Sequence, residues 1–459
     1  MRNRYTNSIL LSAIGDALGW ITEFEKTQDS IIKKYNTEEI DSFYDWEKYI
    51  GGRFNGYLDK IKSGSYSDDT QLLLSVARSI KPNGEIDNIY FSKKELPNWL
   101  LYARGAGRTI KNAARKIERK SATWNNNFFT FKAGNTTIDY RESGANGAAM
   151  RALPIALANY NNPEKIKENI FANSIITHGH PRAIVGAILY GFAINVMLKQ
   201  SKENFNYETF LTEIGKDIEL KFKPTFLNKP LYIAWINEWN KNQMIDFISV
   251  YNKTVSEALD SLRDVYKFIR DEKETKTALL DFGCFTPSTK GSGISTVIAG
   301  IYLASKYYSQ PQKAITNAVN SIGSDTDSIA AFAGSLVGAL YDNDIIPEKW
   351  NNVQDSDYLN SIANTLYKTS HSRNDADAKN NSVSNLKSMN EITSDIYSEN
   401  EEIIFNPLGK GIINNIDRQK TLTGGKYNLI IDVDFEIGQT CKFSKLLEIE
   451  KNNAEKYFD

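Results

Sequence analysis

Apolar residues recur at three- and four-residue spacing through most of the first 370 positions, which is typical of amphipathic helices. The clearest stripes lie at 10–17, 100–118, 183–198, 254–270, 294–308 and 329–336. Alternation of apolar and polar positions, the period of a strand, is scarce before residue 400. The pattern therefore predicts a compact all-α domain of many helices over residues 1–368.

Two segments depart from this pattern. The segment 201–280 is rich in aromatic and charged residues and is interpreted as a helical insert. From 369 to 400 large apolar residues become rare, which predicts a linker. Alternation then appears in "KYNLIIDVDFEIGQTCKF" at 426–443, after the turn signal "LTGG". Residues 401–459 are therefore predicted to form a small β-rich C-terminal appendix.

Composition excludes several classes of protein. The 459 residues are 41% hydrophobic and 24% charged with a formal net charge of -1, so nothing indicates a general nucleic-acid or membrane-surface binder. Cys284 and Cys441 lack metal-ligand spacing and favour a reducing compartment.

Asp16 cuts short a faint signal-peptide pattern. The apolar run 183–198 contains Asn195, which suits a buried helix better than a membrane span. A cytoplasmic location is expected.

Three oxygen-bearing side chains, Ser67, Asp68 and Asp69, stand directly ahead of a helical stripe in "SYSDDTQLLLSVARSI" at 65–80. Asp68 and Gln71 have the spacing of a capping box, in which each side chain bonds a free backbone N–H. For a single stretch of this kind, helix capping is the ordinary explanation. The alternative is half of a metal site.

The same arrangement returns at "GSDTDSIAAFAGSLVGAL", residues 323–340, where Asp325, Asp327 and Ser328 precede a stripe dense in small residues. Small residues allow close backbone approach, so this helix is predicted to be central and buried. Buried carboxylates are costly without a partner. Ser324 and Asp327 also have capping-box spacing, so capping explains this start as well.

Four carboxylates converge if the two helix starts meet in space. Without cations, their mutual repulsion would keep some of them protonated. Hard oxygen donors without His or Cys suit two Mg²⁺ ions, with Mn²⁺ as the alternative. Two such ions can orient and polarise neighbouring substrate oxygens.

A third acidic feature lies in "GDALGWITEFE" at 15–25, where Asp16, Gly19, Trp20 and Glu23 share one helix face. Asp16 interrupts an apolar stripe and is predicted to be buried and bonded to a neighbouring helix. Glu23 at the helix end is either a solvent-exposed side chain or a catalytic carboxylate.

Six stretches in a fixed order resemble the ADP-ribosylglycohydrolase family over residues 5–368. They are "GDALGWITEFE", "YSDDTQL", "GANGAAMRALPIAL" (144–157), "THGHPRAIVGA" (177–187), "GSGISTVIAGIYLA" (291–304) and "GSDTDSIAAFAGSLVGALY" (323–341). The resemblance implies a compact all-α fold with a binuclear Mg²⁺ site.

Carried onto this sequence, the resemblance implies particular site residues. The metal ligands would be Ser67, Asp68, Asp69, Asp325, Asp327 and Ser328, and the catalytic acidic residue would be Glu23. Substrate contacts would come from Gly144, Asn146, Gly147, His178, Gly323 and Ser324. Free N–H groups of the Gly-rich loop suit a pyrophosphate, although an ordinary loop explains it too. Arg151 is either a phosphate ligand or a buried structural side chain.

The leading hypothesis is Mg²⁺-dependent hydrolysis of the C1″ glycosidic bond that joins ADP-ribose to a modified macromolecule or small acceptor. Two rival hypotheses remain, a two-metal nucleotide phosphohydrolase and a toxin-neutralising immunity protein on the same scaffold. The C-terminal appendix is expected to recruit a substrate or a protein partner. A modified nucleic acid is not excluded as a substrate, and no membrane partner is expected.

Overall fold

Helices make up most of the chain as far as His371, in a computed structural model that describes residues 1–371, 386–392 and 396–449. In chain order the helices are α1 (Arg2–Glu23), α2 (Gln28–Tyr35), α3 (Gly52–Asn55), α4 (Asp68–Arg78), α5 (Asn88–Tyr90), α6 (Leu96–Trp99), α7 (Arg108–Lys116), α8 (Leu153–Ala158), α9 (Pro163–Ser174), α10 (Pro181–Met197), α11 (Tyr207–Gly215), α12 (Ile218–Phe222), α13 (Pro230–Asn240), α14 (Phe247–Arg270), α15 (Thr275–Asp281), α16 (Gly293–Lys306), α17 (Pro311–Val319), α18 (Thr326–Gly338) and α19 (Ser356–His371). The predicted mostly helical fold is confirmed.

Helices α1 and α18 pack backbone against backbone at the centre of this domain. A Cβ at Gly19 would lie 2.4 Å from the Cα of Asp327, and a Cβ at Gly15 would lie 2.4 Å from the carbonyl oxygen of Ala330. The Thr326 hydroxyl also donates to the Gly19 carbonyl at 2.8 Å. Every residue of α18 is buried, so the predicted central position of this helix is confirmed.

Asp16 fixes the start of a second helix against α1. Its carboxylate accepts bonds from the Ser67 backbone N–H at 3.0 Å, the Thr70 backbone N–H at 2.9 Å and the Thr70 hydroxyl at 2.6 Å. The predicted buried, bonded role of Asp16 is confirmed. Helix α1 therefore holds the first turns of both α4 and α18, which are the two acidic helix starts.

Replacing Gly19 by alanine is expected to lower the free energy of unfolding by about 3 kcal/mol, because a methyl group there meets backbone atoms that cannot rotate away. Chemical denaturation monitored by circular dichroism measures the change. The matched control is Gly424→Ala, since a Cβ at Gly424 would meet no atom within 4 Å. Equal stability of the two variants would contradict the close packing of α1 on α18.

Two short hairpins interrupt the helical domain, and the sequence pattern did not predict them. One pairs β1 (Trp46–Ile50) with β2 (Tyr57–Ile61), and the other pairs β3 (Thr130–Ala133) with β4 (Thr136–Asp139). The predicted helix over 100–118 is wrong for residues 100–107, which form a turn and loop before α7. Gly105 in that loop adopts a φ of +77°, which a helix does not permit.

The C-terminal appendix is a β-sheet, as its alternation predicted, but the first of the five strands described for it lies within the predicted linker, at 387–388. Its strands are β5 (Lys387–Ser388), β6 (Glu402–Phe405), β7 (Gly409–Lys420), β8 (Lys426–Phe435) and β9 (Thr440–Glu448), in that spatial order. All neighbouring strands are antiparallel except β5 and β6, and a bulge interrupts β7 between Ile413 and Asn415. Part of the predicted linker, 372–385, lies outside the described residues, as do 393–395 and 450–459.

The sheet packs closely on the helical domain. The aromatic rings of Phe405 and Phe443 make edge contacts with Tyr102. Side chains of the C-terminal sheet also bond strand β2 of the helical domain. The Gln419 side chain bonds both backbone groups of Leu58, at 2.9 and 3.0 Å, and Lys442 forms a 2.7 Å ion pair with the buried Asp59.

The segment 201–280 consists mainly of helices, α11 to α15, which pack on α10 and α16 through α14. In the ranges that the structure describes, no helix combines the length and the apolar character needed to cross a lipid bilayer.

Candidate active site

A cavity of about 560 Å³ opens over the first turns of α4 and α18. The residues predicted from the sequence that line this cavity are Glu23, Asp68, Asp69, Asp325, Asp327, Ser328, Gly144, Asn146, Gly147 and His178. The fold thus brings the two acidic helix starts, the end of α1 and the Gly-rich loop around one space.

Helix α4 begins with a cap that differs from the predicted one. The N-cap is Ser67, whose hydroxyl accepts the Asp69 backbone N–H at 3.2 Å. The predicted capping box of Asp68 and Gln71 is wrong, because Gln71 instead bonds the Tyr102 carbonyl, the Trp99 indole N–H and the Arg104 backbone N–H. Both carboxylates, Asp68 and Asp69, are therefore left available to the cavity.

Helix α18 begins without any side-chain cap. Asp325 occupies the N-cap position, and its side chain makes no capping bond, so the predicted capping box of Ser324 and Asp327 is also wrong. The Asp325 carboxylate accepts a bond from the Asn146 amide at 3.2 Å, and the Ser328 hydroxyl donates to Asp69 at 2.7 Å. Helix capping therefore does not explain the acidic residues at this helix start.

The four carboxylates are buried together and repel one another. Burial, followed by the charge of Asp327, raises the pKa of Asp68 and of Asp69 well above the ordinary range. Burial and then the charge of Asp325 raise the pKa of Asp327 in the same direction, and burial raises the pKa of Asp325. Burial and the charge of Asp327 raise the pKa of Asp16 to about 6. Within the described residues, no Lys or Arg side chain forms an ion pair with any of these carboxylates.

The donor set fits divalent cations that prefer oxygen. It contains four carboxylates and the hydroxyls of Ser67 and Ser328, all 7% exposed or less apart from Asp325, whose side chain is half-buried. The side chains bond one another instead of surrounding a common point, and in the described ranges no three acidic, imidazole or thiol groups already form a ligand set. A cation would replace these mutual bonds and neutralise the repulsion.

Glu23, the last residue of α1, lies at the edge of the acidic cluster. Burial, followed by the charges of Asp327 and Asp325, raises its pKa well above the ordinary range, and Lys48 opposes this shift. Lys48 stands on β1, with its Nζ 3.0 Å from the ring centroid of Phe24. A carboxyl group that holds its proton beside a cavity can act as a general acid.

The opposite wall of the cavity is the Gly-rich loop. A Cβ at Gly147 would lie 2.8 Å from the His178 imidazole, so the loop backbone and the ring are in close contact. Arg151 is fully buried behind them and donates to the Gly147 carbonyl, to Asn173 and to the Thr177 hydroxyl, which bonds His178 Nδ1. Arg151 is therefore a structural side chain that positions the loop and His178, which resolves the alternative left open by the sequence.

Both histidines of the cavity are expected to remain neutral between pH 5 and 8. Burial and the neighbouring Arg151 lower the pKa of His178 to about 3, and burial and Arg182 lower that of His180 to about 4. Imidazole chemical shifts recorded by NMR across this pH range measure the protonation directly, and His178→Gln and His180→Gln assign the two signals. A midpoint near 6.5 for either signal would contradict the burial described above.

Several residues differ from the sequence-based expectation. Ser67, Gly323 and Ser324 do not line the cavity, and the Ser324 hydroxyl is buried without a partner among the described residues. The sequence reasoning missed Arg108, Ser143, Ser288 and Gly291, which do line it. In the part of the chain that the structure describes, the Ser143 hydroxyl is also buried without a hydrogen-bond partner. The position of Ser143 directly before Gly144 was the sequence feature that could have identified it as a residue of the cavity wall.

Comparison with known proteins identifies a family. The sequence model of the ADP-ribosylglycohydrolase family matches residues 1–376. The ADP-ribosyl-[dinitrogen reductase] glycohydrolase of Rhodospirillum rubrum is 30% identical over 200 residues, which are 43% of this chain and 59% of that protein, so the match spans about three-fifths of the relative.

Two further relatives align over more of their length. The ADP-ribosylarginine hydrolase Tri1 of Serratia proteamaculans (strain 568) is 21% identical over 77% of this chain and 76% of that protein. The ADP-ribosylhydrolase ARH3 of Gallus gallus is 24% identical over 62% of this chain and 72% of that protein. The family match covers the helical domain and stops before the C-terminal sheet. The chain therefore belongs to the ADP-ribosylglycohydrolase family of hydrolase enzymes.

Proposed function

We propose that this chain is a Mg²⁺-dependent hydrolase that releases ADP-ribose from a modified acceptor by cleaving the glycosidic bond at C1″. The observation that carries the proposal is the junction of two acidic helix starts on the floor of one cavity, where the Ser328 hydroxyl bonds Asp69. Buried carboxylates that lack cationic partners are retained at a cost in stability, which favours a functional role.

The metal ions would be held by Ser67, Asp68, Asp69, Asp325, Asp327 and Ser328. Bound there, they would supply positive charge that neutralises the carboxylates and orients the hydroxyl groups of the distal ribose. Mn²⁺ is the alternative ion, since its ligand preference is similar.

The Gly-rich loop suits the diphosphate of ADP-ribose. Its residues Gly144, Asn146 and Gly147 line the cavity together with Ser143, and the neutral His178 can donate one hydrogen bond. The Asn146 amide joins this loop to Asp325, so a ligand on the loop is placed directly beside the carboxylates. The loop therefore sets the distance between the diphosphate and the reacting ribose.

Glu23 is assigned the proton transfer. Hydrolysis of the glycosidic bond requires a proton on the leaving group or removal of a proton from water, and positive charge develops at C1″. Glu23 stands at the cavity edge with a raised pKa, so it can hold the transferred proton at its carboxyl oxygen.

The acceptor is proposed to be a macromolecule. The named relatives act on ADP-ribosyl-[dinitrogen reductase] and on ADP-ribosylarginine, which supports a modified protein as the substrate class. The linkage itself is left to experiment.

The test is a substrate panel assayed with and without Mg²⁺. Proteins ADP-ribosylated on arginine or on serine, an ADP-ribosylated nucleic acid and O-acetyl-ADP-ribose are incubated with the full chain, and products are separated by chromatography. We expect free ADP-ribose from at least one protein substrate only when Mg²⁺ is present. Glu23→Gln should reduce the rate by at least about 100-fold, whereas Glu38→Gln, on an exposed loop, should not.

Two outcomes would overturn the proposal. Release of AMP from free ADP-ribose would indicate a phosphohydrolase that cuts the pyrophosphate. Absence of free ADP-ribose from every substrate in the presence of Mg²⁺ or Mn²⁺ would exclude the glycohydrolase reaction on those linkages.

A further inference from the structure

A second cavity, of about 640 Å³, lies between the helical domain and the C-terminal sheet. One wall comes from strand β2, the loop after it and Arg104, and the other wall comes from strands β7, β8 and β9. The family match ends at residue 376, so the sheet wall has no counterpart in the matched region. The cavity is of a size that holds a small organic ligand.

Arg104 lies in the first wall with an uncompensated charge. Its side chain is 9% exposed and donates from Nη1 to the neutral side-chain amide of Gln354, at 2.9 Å. The Nε atom is buried without a partner, and among the described residues no carboxylate lies within 4.0 Å of the guanidinium. A guanidinium cannot lose its charge to relieve burial, so this arrangement favours an anionic ligand.

Asp355, a carboxylate linked to Arg104 through Gln354, already has other hydrogen-bond partners. Asp355 receives the Gln354 amide at 3.2 Å, the Tyr66 hydroxyl at 2.5 Å and the Thr440 backbone N–H at 3.1 Å. It touches Arg104 only through the Gln354 amide. Arg104 thus uses one of its side-chain N–H groups in a bond within the protein. Its positive charge remains available to a ligand in the cavity that it lines.

Two further cations border the same wall. Lys60 and Lys62 are exposed, and neither forms an ion pair within the part of the chain that the structure describes. Lys442, the other lysine of the cavity, is neutralised by Asp59 at 2.7 Å. Lys60 and Lys62 therefore add two positive charges at the border of the cavity.

The sheet wall has the opposite character. Asp417, Asp432 and Asp434 line it together with Asn414 and Asn415, so this side offers acceptors for hydroxyl or amino groups. A ligand with a phosphate at one end and a hydroxyl-bearing ring at the other matches both walls, whereas a simple anion would use only the first. We propose that this cavity binds a nucleoside phosphate, with its phosphate on Arg104, Lys60 and Lys62.

The cavity shares a wall with the active site. Gly105, which follows Arg104, lines the first cavity, and a Cβ there would lie 3.1 Å from Asp68 Oδ1. The Arg104 backbone N–H is tied to Gln71 of α4 at 3.1 Å. A phosphate on Arg104 is therefore one residue from Gly105, which approaches the acidic cluster.

The test is equilibrium dialysis of labelled AMP against the full chain and against His178→Gln, which alters the first cavity only. We expect one equivalent of AMP whose dissociation constant is unchanged in His178→Gln. Its dissociation constant should rise at least tenfold in Arg104→Gln and in the Lys60→Gln, Lys62→Gln double variant. Arg263→Gln is the matched control, because Arg263 pairs with Asp260 on the exposed face of α14. Inorganic phosphate and acetate, used as competitors, separate phosphate from carboxylate recognition.

Four outcomes would overturn the inference. They are a rise in the dissociation constant in His178→Gln as large as that in Arg104→Gln, an unchanged dissociation constant in the Arg104 and lysine variants, stronger competition by acetate than by phosphate, and a fall in the thermal midpoint of ligand-free Arg104→Gln without any AMP binding to the wild type. The last result would make Arg104 purely structural. The lysine double variant alters only exposed side chains, so its result stands even if Arg104→Gln does not fold. Dialysis measures bound AMP without catalysis. Failure of the proposed glycohydrolase function would therefore leave the number of bound AMP molecules unchanged.

Discussion

Asp327→Asn is expected to abolish hydrolysis and, at the same time, to stabilise the metal-free protein at neutral pH. Asp327 raises the pKa of Asp16, Glu23, Asp68 and Asp69, so removing its charge relieves repulsion in the whole cluster. Asparagine keeps the shape and can still accept the Ser328 backbone N–H that Asp327 accepts at 2.8 Å. We expect a loss of activity of at least about 1,000-fold and a gain of about 1–2 kcal/mol in the free energy of unfolding.

Activity on the accepted substrate and denaturant unfolding in EDTA are the two measurements. Asp357→Asn is the control, since Asp357 also stands in the first turn of a helix but is exposed. It should change neither quantity appreciably. A destabilised but active Asp327→Asn protein would show that the carboxylate serves the fold and that the proposed metal site is wrong.

The second prediction concerns pH and Mg²⁺ together. The cluster carboxylates have raised pKa values in the folded state, so the folded metal-free protein holds more protons than the unfolded chain. Their contribution to stability is therefore present at low pH and is lost as the pH rises from about 4, the unfolded value, through the pKa of about 6 of Asp16 and beyond. Mg²⁺ should restore stability on the alkaline side, because only ionised carboxylates bind it.

Thermal unfolding at pH 5 and pH 7.5, in MgCl₂ or in NaCl of equal ionic strength, measures this effect. At a concentration 100 times its dissociation constant, Mg²⁺ should add about 2.7 kcal/mol at pH 7.5 and clearly less at pH 5. The Asp327→Asn protein should lose most of the gain. An equal effect of Mg²⁺ at the two pH values would mean that the cluster is not the binding site.

The helical domain could be predicted from sequence because its main determinants are local. Apolar spacing located α10, α16 and α18 closely and the C-terminal part of α14, and the density of small residues in α18 indicated its central position. Asp16 could be placed as a buried, bonded group because a charge inside an apolar stripe requires a partner. The grouping of the two acidic helix starts followed from the cost of burying unpaired carboxylates.

Tertiary contacts decided the features that sequence did not predict. Gln71 has capping-box spacing, yet three groups of the 99–104 segment outcompete the cap. The stripe at 100–107 is apolar because Tyr102 packs against the C-terminal sheet, not because it is helical. The β1–β2 hairpin carries little alternation of its own, since bonds from the sheet side chains of Gln419 and Lys442 support it. The position of Lys48 beside Glu23 depends on that hairpin, so it could not be predicted from the sequence.

The contact between Ser328 and Asp69 joins positions 259 residues apart in the chain. During synthesis on the ribosome, the first half of the site emerges long before the second, and α1 remains without its main packing partner throughout that interval. The early chain therefore exposes a set of unpaired acidic residues and an unfilled groove of small residues until α18 arrives. Cation binding would then mark the completion of folding, and a shortened chain that ends before residue 328 would have no active site to assemble.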